Sequence, residues 1–329
     1  MGKRSTSSAK PAGELLPKKS RERTKPKPLS RVQKRGIEAS TAIALDLPDQ
    51  IGYQHTVLCQ TSMPYRDPGK AVQEWEREQG AVSLRLEAGH AQHPETKEWV
   101  PLGLPFGPKS RLLLAHLNAE ALKTGSPVVK IEESLTAFVR RIQDPTRRRK
   151  EGPNGYEIRA FKDHLARLSA AVIRMAVSTE ERFIQTNSQI VDAFDLWFPK
   201  NKKQRVLWPS TIHLNGKYFA SLKKHAVPLD ERALAALSHS AMALDIYAWL
   251  AQRLHRVPRG RPQFITWAAL KDQFGLGHAR MNNFKAVFWI ALSQVACEYP
   301  AAKIEQDGRG LTLRNSPPPV SKCMVLLEG

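Results

Sequence analysis

The sequence predicts a helix-rich α+β fold: two compact units of similar plan behind a disordered basic N-terminal tail. Three observations carry that prediction. With 329 residues and 41% hydrophobic content, the chain is suited to two medium-sized cores rather than one large one. Its apolar periodicity runs twice, in the same order, from helical to strand-like spacing. Residues 1–35 hold twelve Lys or Arg against two acids, with four prolines and almost no large hydrophobes. Such a segment cannot bury enough surface to fold alone.

The tail is placed at residues 1–50, the first unit at 51–226, the second at 227–316 and a C-terminal tail at 317–329. In the first unit, Thr56–Thr61 and Ala81–Leu86 alternate apolar and polar residues and predict two strands. Breakers at 101–108 precede a helix over Lys109–Lys123, with Leu113, Leu117 and Ala121 on one side and Gly125 after its end. Val128–Ile131 predicts a short strand. Leu135, Phe138, Val139 and Ile142 then match the i, i+3, i+4, i+7 helix template. Beyond a basic turn at 146–155, a long amphipathic helix is predicted over Tyr156–Val177, with Phe161, Leu165, Leu168, Val172 and Met175 inward. Segments 182–186, 191–197, 205–208 and 211–214 read as strands.

The order returns after Pro228. A helix is predicted over Ser238–Arg256, a short one around Trp267, Leu270 and Phe274, and a third over Arg280–Tyr299 with Phe284, Phe288, Ala291 and Val295 inward. Residues 303–314 alternate on both sides of Asp307-Gly308, a hairpin signature with Arg309 at its tip. Helices followed by a hairpin are the outline of a winged helix-turn-helix, whose charged helix enters the major groove while the hairpin lies along the backbone. Two occurrences predict two tandem winged-helix domains.

Charge says what such units would meet. The chain carries 51 Lys+Arg against 31 Asp+Glu, a net +20. Self-repulsion on that scale is relieved by a polyanion, and double-stranded DNA is the one these units would fit. In the first unit, Asn154, Tyr156, Arg159, Lys162, Asp163 and Arg167 form the expected base-reading face. Arg147, Arg148, Arg149 and Lys150 are expected on phosphate, and Lys202 and Lys203 lie in the loop between the last strands. In the second unit the candidates are Arg280, Asn282, Asn283 and Lys285 on the helix and Arg309 on the wing. Arg256, Arg259 and Arg261 are phosphate candidates in a loop. Arginine reads guanine bidentately and asparagine reads adenine.

Other classes find no foothold. Gly69-Lys70 and Gly216-Lys217 lack the upstream glycine and the following Ser/Thr of a phosphate-binding loop. No His-hydrophobe-His triplet offers the metal pair of a nicking enzyme, and His90 and His93 have no third ligand nearby. No enzymatic activity, metal or cofactor is expected. The three cysteines, Cys59, Cys297 and Cys323, have no CxxC spacing and read as reduced thiols. Trp197, Trp208, Trp249 and Trp267 fall within apolar patterns and read as core. No run approaches a bilayer span and Met1-Gly-Lys-Arg opens no secretory signal, so a cytoplasmic, nucleoid-associated protein without membrane contact is expected.

Six words in order also resemble the plasmid RepA replication-initiator family. They are Val57-Leu-Cys-Gln-Thr-Ser-Met-Pro-Tyr-Arg66, Leu102-Gly-Leu-Pro-Phe-Gly-Pro-Lys-Ser-Arg-Leu-Leu-Leu114, Asp192-Ala-Phe-Asp-Leu-Trp-Phe198, Val227-Pro-Leu-Asp-Glu-Arg-Ala-Leu234, Leu244-Asp-Ile-Tyr-Ala-Trp-Leu250 and Ser316-Pro-Pro-Pro-Val320. The resemblance implies binding to repeated origin sequences (iterons), opening of adjacent AT-rich duplex and recruitment of host replication proteins, the replicative helicase among them. Homodimer formation and autorepression are further roles it implies. A winged-helix transcription regulator without initiation activity is the alternative, and a rolling-circle nicking enzyme a more distant one. One departure is local: Met281–Leu292 is more apolar than the family's third helix, and Trp289 would suit a groove only if it packed on another element.

Overall fold

The computed structural model describes residues 29–92, 96–143, 155–178, 183–197 and 208–321. Helix α1 (Arg31–Leu45) starts at a capping box in which Ser30 and Gln33 satisfy each other's backbone N–H. Part of the segment expected as a disordered tail is therefore helical, and its Ala39 is buried. Strand β1 (Ile51–His55) follows, then α2 (Thr56–Gln60) in place of the strand expected there. The His55 ring accepts from the Val57 N–H, and the Gln60 and Thr61 side chains donate to the carbonyls of Thr56 and Val57. Val57, Leu58 and Cys59 are all buried, which a helix wedged into a core allows and an alternating strand does not.

Strands β2 (Glu74–Gln79), β3 (Val82–Glu87), β4 (Gly89–Gln92) and β5 (Trp99–Gly103) precede α3 (Gly107–Thr124). Strand β6 (Val128–Lys130), α4 (Glu132–Gln143) and α5 (Gly155–Ala170) come next. The helix expected to reach Val177 stops at Ala170 and becomes β7 (Val172–Ser178), paired with β8 (Phe183–Gln189) and β3. Ile173 and Met175 are buried in alternation, a period of two that the Val172–Met175 spacing of three had disguised as helical. β-Branched Val172, Ile173 and Val177 favour the pleat. The chain can turn at Ala170 because Gly89 lies against it: a Cβ there would stand 1.9 Å from the Ala170 carbonyl oxygen.

Strands β9 (Val191–Trp197) and β10 (Trp208–Leu214), helix α6 (Gly216–His225) and β11 (Ala226–Asp230) lead to the second half. There the predicted 238–256 helix begins at Ser240, which caps α8 (Ala241–Arg253); a separate α7 (Glu231–Leu237) precedes it and a 3-10 turn, Leu254–Arg256, follows. Strand β12 (Gln263–Thr266), α9 (Trp267–Phe274), α10 (Met281–Glu298), β13 (Ile304–Gln306) and β14 (Gly310–Leu313) complete the order.

Two series are alike. α3-β6-α4-α5-β9-β10 and α8-β12-α9-α10-β13-β14 have the same sequence of elements, and their sheets the same strand order, β6-β10-β9 and β12-β14-β13. The first series carries β7–β8 as an insertion, which joins β2 and β3 in the sheet β2-β3-β7-β8. The antiparallel ribbon β1–β11 lies beside α3 and α8, and one continuous apolar core runs through both series.

The leading helices α3 and α8 meet through a buried ion pair. Arg111 donates from Nε and Nη2 to the two carboxylate oxygens of Asp245 at 2.5 and 2.8 Å. It also donates to the carbonyls of Met63, Gly107 and Pro64. Trp249 and Trp267 are buried, as the apolar pattern predicts.

Candidate nucleic-acid interface

In the second series the site is built where α10 meets the β13–β14 hairpin. Phe284, Phe288, Ala291 and Val295 face inward; Phe284 and Phe288 meet Trp267 edge-on, and Phe288 meets Phe274 at a tilt. The helix begins at Arg280 with no side-chain cap and no acid in its first turn. Its first N–H groups and the positive end of its dipole are thus left for solvent or an anionic partner. Arg280, Asn282 and Asn283 are exposed beside them.

The hairpin is fixed to this helix start. Lys285 places its ammonium 5.1 Å from the Trp267 ring and donates to the Gly308 carbonyl at 3.4 Å. Trp267 donates its indole N–H to the Asp307 carbonyl at 3.2 Å and its backbone N–H to that of Arg309 at 3.0 Å. Asp307 Oδ1 accepts from the backbone of Arg309 and Gly310 at 2.8 and 2.9 Å, and these donors hold its carboxyl below the usual range. The Arg309 side chain, 84% exposed, extends past the Phe264 ring at 5.5 Å. Asn282 lies one turn before Lys285 and so on the hairpin side of the helix. Arg280, Asn282, Lys285 and Arg309 therefore share one cationic, polar surface; Asn283 adjoins it.

Arg259 and Arg261 are exposed but stand elsewhere. β12 runs from Gln263, opposite Leu313, to Thr266, opposite Gly310. The loop carrying the two arginines is at the far end of that strand from the hairpin tip, about 10 Å away at 3.3 Å per residue. Arg256 is exposed at the 3-10 turn. Beyond its first turns α10 changes character: Val287, Trp289 (48% exposed) and Ile290 (60%) face outward, and no charged residue occurs from Ala286 to Cys297.

In the first series, α5 buries Phe161, Leu165 and Leu168 against α3 and presents Tyr156, Arg159 and Asp163 to solvent. Lys162 is half-buried. Arg167 turns back into the fold. It pairs with Asp67 at 3.3 Å, donates to the Leu104 carbonyl and lies 5.1 Å from the Phe106 ring, so it braces α5 rather than extending the exposed face. Burial raises the Asp163 carboxyl against the opposing pull of Arg167 and Arg159. Arg147, Arg148, Arg149, Lys150, Asn154, Lys202 and Lys203 lie outside the described residues.

Sequence reasoning missed two features. Helix α6 exposes Lys217, Lys223 and Lys224 between the series, a cluster legible only as scattered lysines. Phe264, which supports Arg309, sits on a strand hidden behind a proline-rich loop. Among the described residues no group of three His, Cys, Asp or Glu is arranged to hold a metal ion, and no helix is long and apolar enough to cross a membrane.

The family described as plasmid encoded RepA protein matches this chain over residues 104–269. Among solved structures, selenomethionine derivatives of domains 2 and 3 of RctB align with TM-score 0.48 at 10% identity, covering 79% of this chain and 98% of that one. A second structure of RctB domains 2-3 aligns with TM-score 0.41 at 9% identity, covering 78% and 94%. No curated protein matches the chain.

Proposed function

The chain belongs to the plasmid encoded RepA protein family, which matches it over residues 104–269, and on that premise we propose that it initiates plasmid replication by binding repeated origin sequences in double-stranded DNA. One observation carries the reading: the beginning of α10 and the β13–β14 tip are held together as a single cationic surface by Lys285 and Trp267. A helix start beside a basic hairpin suits a major groove and its flanking phosphates. We read each of the two series as a winged-helix unit and divide the chain into residues 51–226 and 227–316.

In this reading Arg280, Asn282 and Asn283 read bases, Lys285 and Arg309 hold phosphate, and Arg159 reads bases from the first unit. Arg259 and Arg261 meet a separate stretch of backbone, as do the basic residues 147–150, 202 and 203. The protein works without catalysis, by deforming duplex DNA and recruiting host replication proteins such as a helicase. Self-association and autorepression belong to the same proposal, as does a place on the nucleoid.

The test is footprinting of the purified protein on DNA flanking its own gene, across a salt series. Protection of repeated sites is expected, with affinity falling steeply as salt rises because several phosphates are neutralised. Arg159→Ala should lose about 1–3 kcal/mol of discrimination at one base position, whereas Arg309→Ala should weaken all sequences alike. A flat salt response with no protected repeat would overturn the reading. Protection without permanganate-reactive thymines nearby would favour the regulator, and metal-dependent cleavage of supercoiled origin DNA the nicking enzyme.

A further inference from the structure

We propose that the cavity where the two series meet is a binding site for a small amphipathic anion, an apolar body carrying one carboxylate or similar head group. The cavity measures about 570 Å³, within the range of small-molecule pockets. Its apolar lining comes from parts of the chain far apart in sequence: Ile51 and Tyr53 on β1, Leu122 on α3, Val227 on β11, and Val320 from the segment after the hairpin. None of these belongs to the α10–hairpin surface, so the site is separate from the DNA-facing one.

Two features select the ligand's polarity. Lys123, Lys223 and Arg256 stand at the mouth with exposed side chains, against one acid, Glu120, that has no ion pair with them. The other ionic groups of the lining, Arg141 and Glu231, pair with each other. The mouth is therefore net cationic while the interior is apolar, an arrangement that favours a charged head outside and a hydrocarbon body within.

The second feature is His116. The residue lines the cavity with its ring 97% buried and stacked on Phe138, centroids 4.3 Å apart, and its Nε2 is shielded from the cavity space. Burial, with Arg141 nearby, lowers its pKa to about 3, so the ring is neutral at ordinary pH. The neutral ring thus adds an uncharged wall to the cavity interior, which suits a hydrocarbon body and not a second charge.

The probe is decanoate, with 1-decanol and decyltrimethylammonium as comparators, measured by calorimetry and thermal shift on the full chain. Decanoate is expected to bind at least about tenfold more tightly than decanol, and the cation not at all. Lys123→Ser with Lys223→Ser should erase the preference for the anion, and Ala119→Trp, which fills the cavity, should abolish binding. Should Ala119→Trp fail to fold, the lysine pair still decides. Equal affinity for decanoate and decanol, no binding at about 1 mM, or binding only to anionic lipid vesicles would overturn the proposal. None of these readouts involves DNA, so failure here is distinguishable from failure of the initiator reading.

Discussion

Removing Arg111 should show how the two halves are joined, and the size of the loss follows from its surroundings. The side chain is buried and makes five hydrogen bonds: two to Asp245 and one each to the carbonyls of Met63, Gly107 and Pro64. In Arg111→Met the methionine fills most of the volume, but the Asp245 carboxylate is left in a buried site without its counter-ion. Breaking a buried pair from one side costs about 3–5 kcal/mol. Loss of the donor to Met63, whose carbonyl lies outside regular helix, adds about 1 kcal/mol at the lower bound, whereas the Pro64 carbonyl keeps the Gly107 N–H at 2.9 Å.

The loss should also depend on pH. Burial already raises the Asp245 carboxyl, with Arg111 opposing it; without the guanidinium the rise is larger. A carboxyl whose folded-state pKa exceeds its unfolded value gives stability that is present at low pH and lost as pH rises through the folded value. Equilibrium urea unfolding of Arg111→Met should therefore show a greater loss at pH 8 than at pH 5, relative to the parent chain. A loss below about 1 kcal/mol at both pH values, or a greater loss at pH 5, would refute the description of this pair as a buried clamp.

Three other outcomes follow from the same structure. Burial lowers His55 and His164 to about 4 and His116 to about 3, so the unfolded chain takes up more protons as pH falls below the ordinary histidine value. Glu298, pushed up to about 8 by burial and Asp230, works in the opposite sense. Three imidazoles against Glu298 alone would give a slope of up to about 3 kcal/mol per pH unit near pH 5, reduced by the raised Asp163 and Asp245 carboxyls and read as a falling urea midpoint between pH 6.5 and 4. A flat midpoint would contradict the buried, neutral histidines. Between pH 6.5 and 8 stability should decline, and Glu298→Gln should remove that decline. Gly310→Ala would put a Cβ 2.0 Å from the Ile265 carbonyl oxygen, so β12 and β14 must part. It should cost about 1–3 kcal/mol by thermal unfolding and weaken DNA binding with it; an unchanged Tm would argue against that register. Trp289→Ala, on the uncharged middle of α10, should change DNA affinity by less than about twofold in an anisotropy titration, because the charged residues and asparagines of α10's outer face stand at its start. A larger loss would put the middle of the helix on the DNA.

Much of this fold was legible because inward faces follow simple periods. The helix periodicity of Phe161, Leu165 and Leu168, and of Phe284, Phe288 and Ala291, marks α5 and α10 in the bare sequence. The Asp307-Gly308 turn marks the hairpin. What failed to show were elements whose local pattern fits two periods. Thr56–Gln60, read as a strand, folds as a helix, because the His55 ring caps it and the core surrounds its consecutive apolar residues Val57, Leu58 and Cys59. Val172–Met175 fits a helical stripe yet pairs with β3, whose partner residues lie about ninety positions away. The shared surface of α10 and Arg309 proposed for DNA was legible, because charge and turn chemistry there are local. The candidate site was not legible at Arg167, whose role is set by Asp67 and Phe106 across the fold, nor for Arg259 and Arg261, which strand register sends to the opposite end of the sheet.

The two third helices show why duplication of a plan does not imply duplication of a surface. Phe161, Leu165 and Leu168 fall at the same spacing as Phe284, Phe288 and Ala291, and each set seats its helix against its own series. That shared inward register is enough to place both helices alike, because packing constrains the buried face and leaves the outer one free. On the outer face the chemistries diverge. α5 shows Tyr156, Arg159 and Asp163 along its first half, whereas α10 gathers Arg280, Asn282, Asn283 and Lys285 at its start and then exposes Val287, Trp289 and Ile290, its later amide Gln294 being engaged by His239 at 3.2 Å. In the proposed reading, bases met by charged or amide side chains along α10 would therefore lie beside its first turn and a half. A longer footprint from the second unit would then have to come from the hairpin and its Arg309.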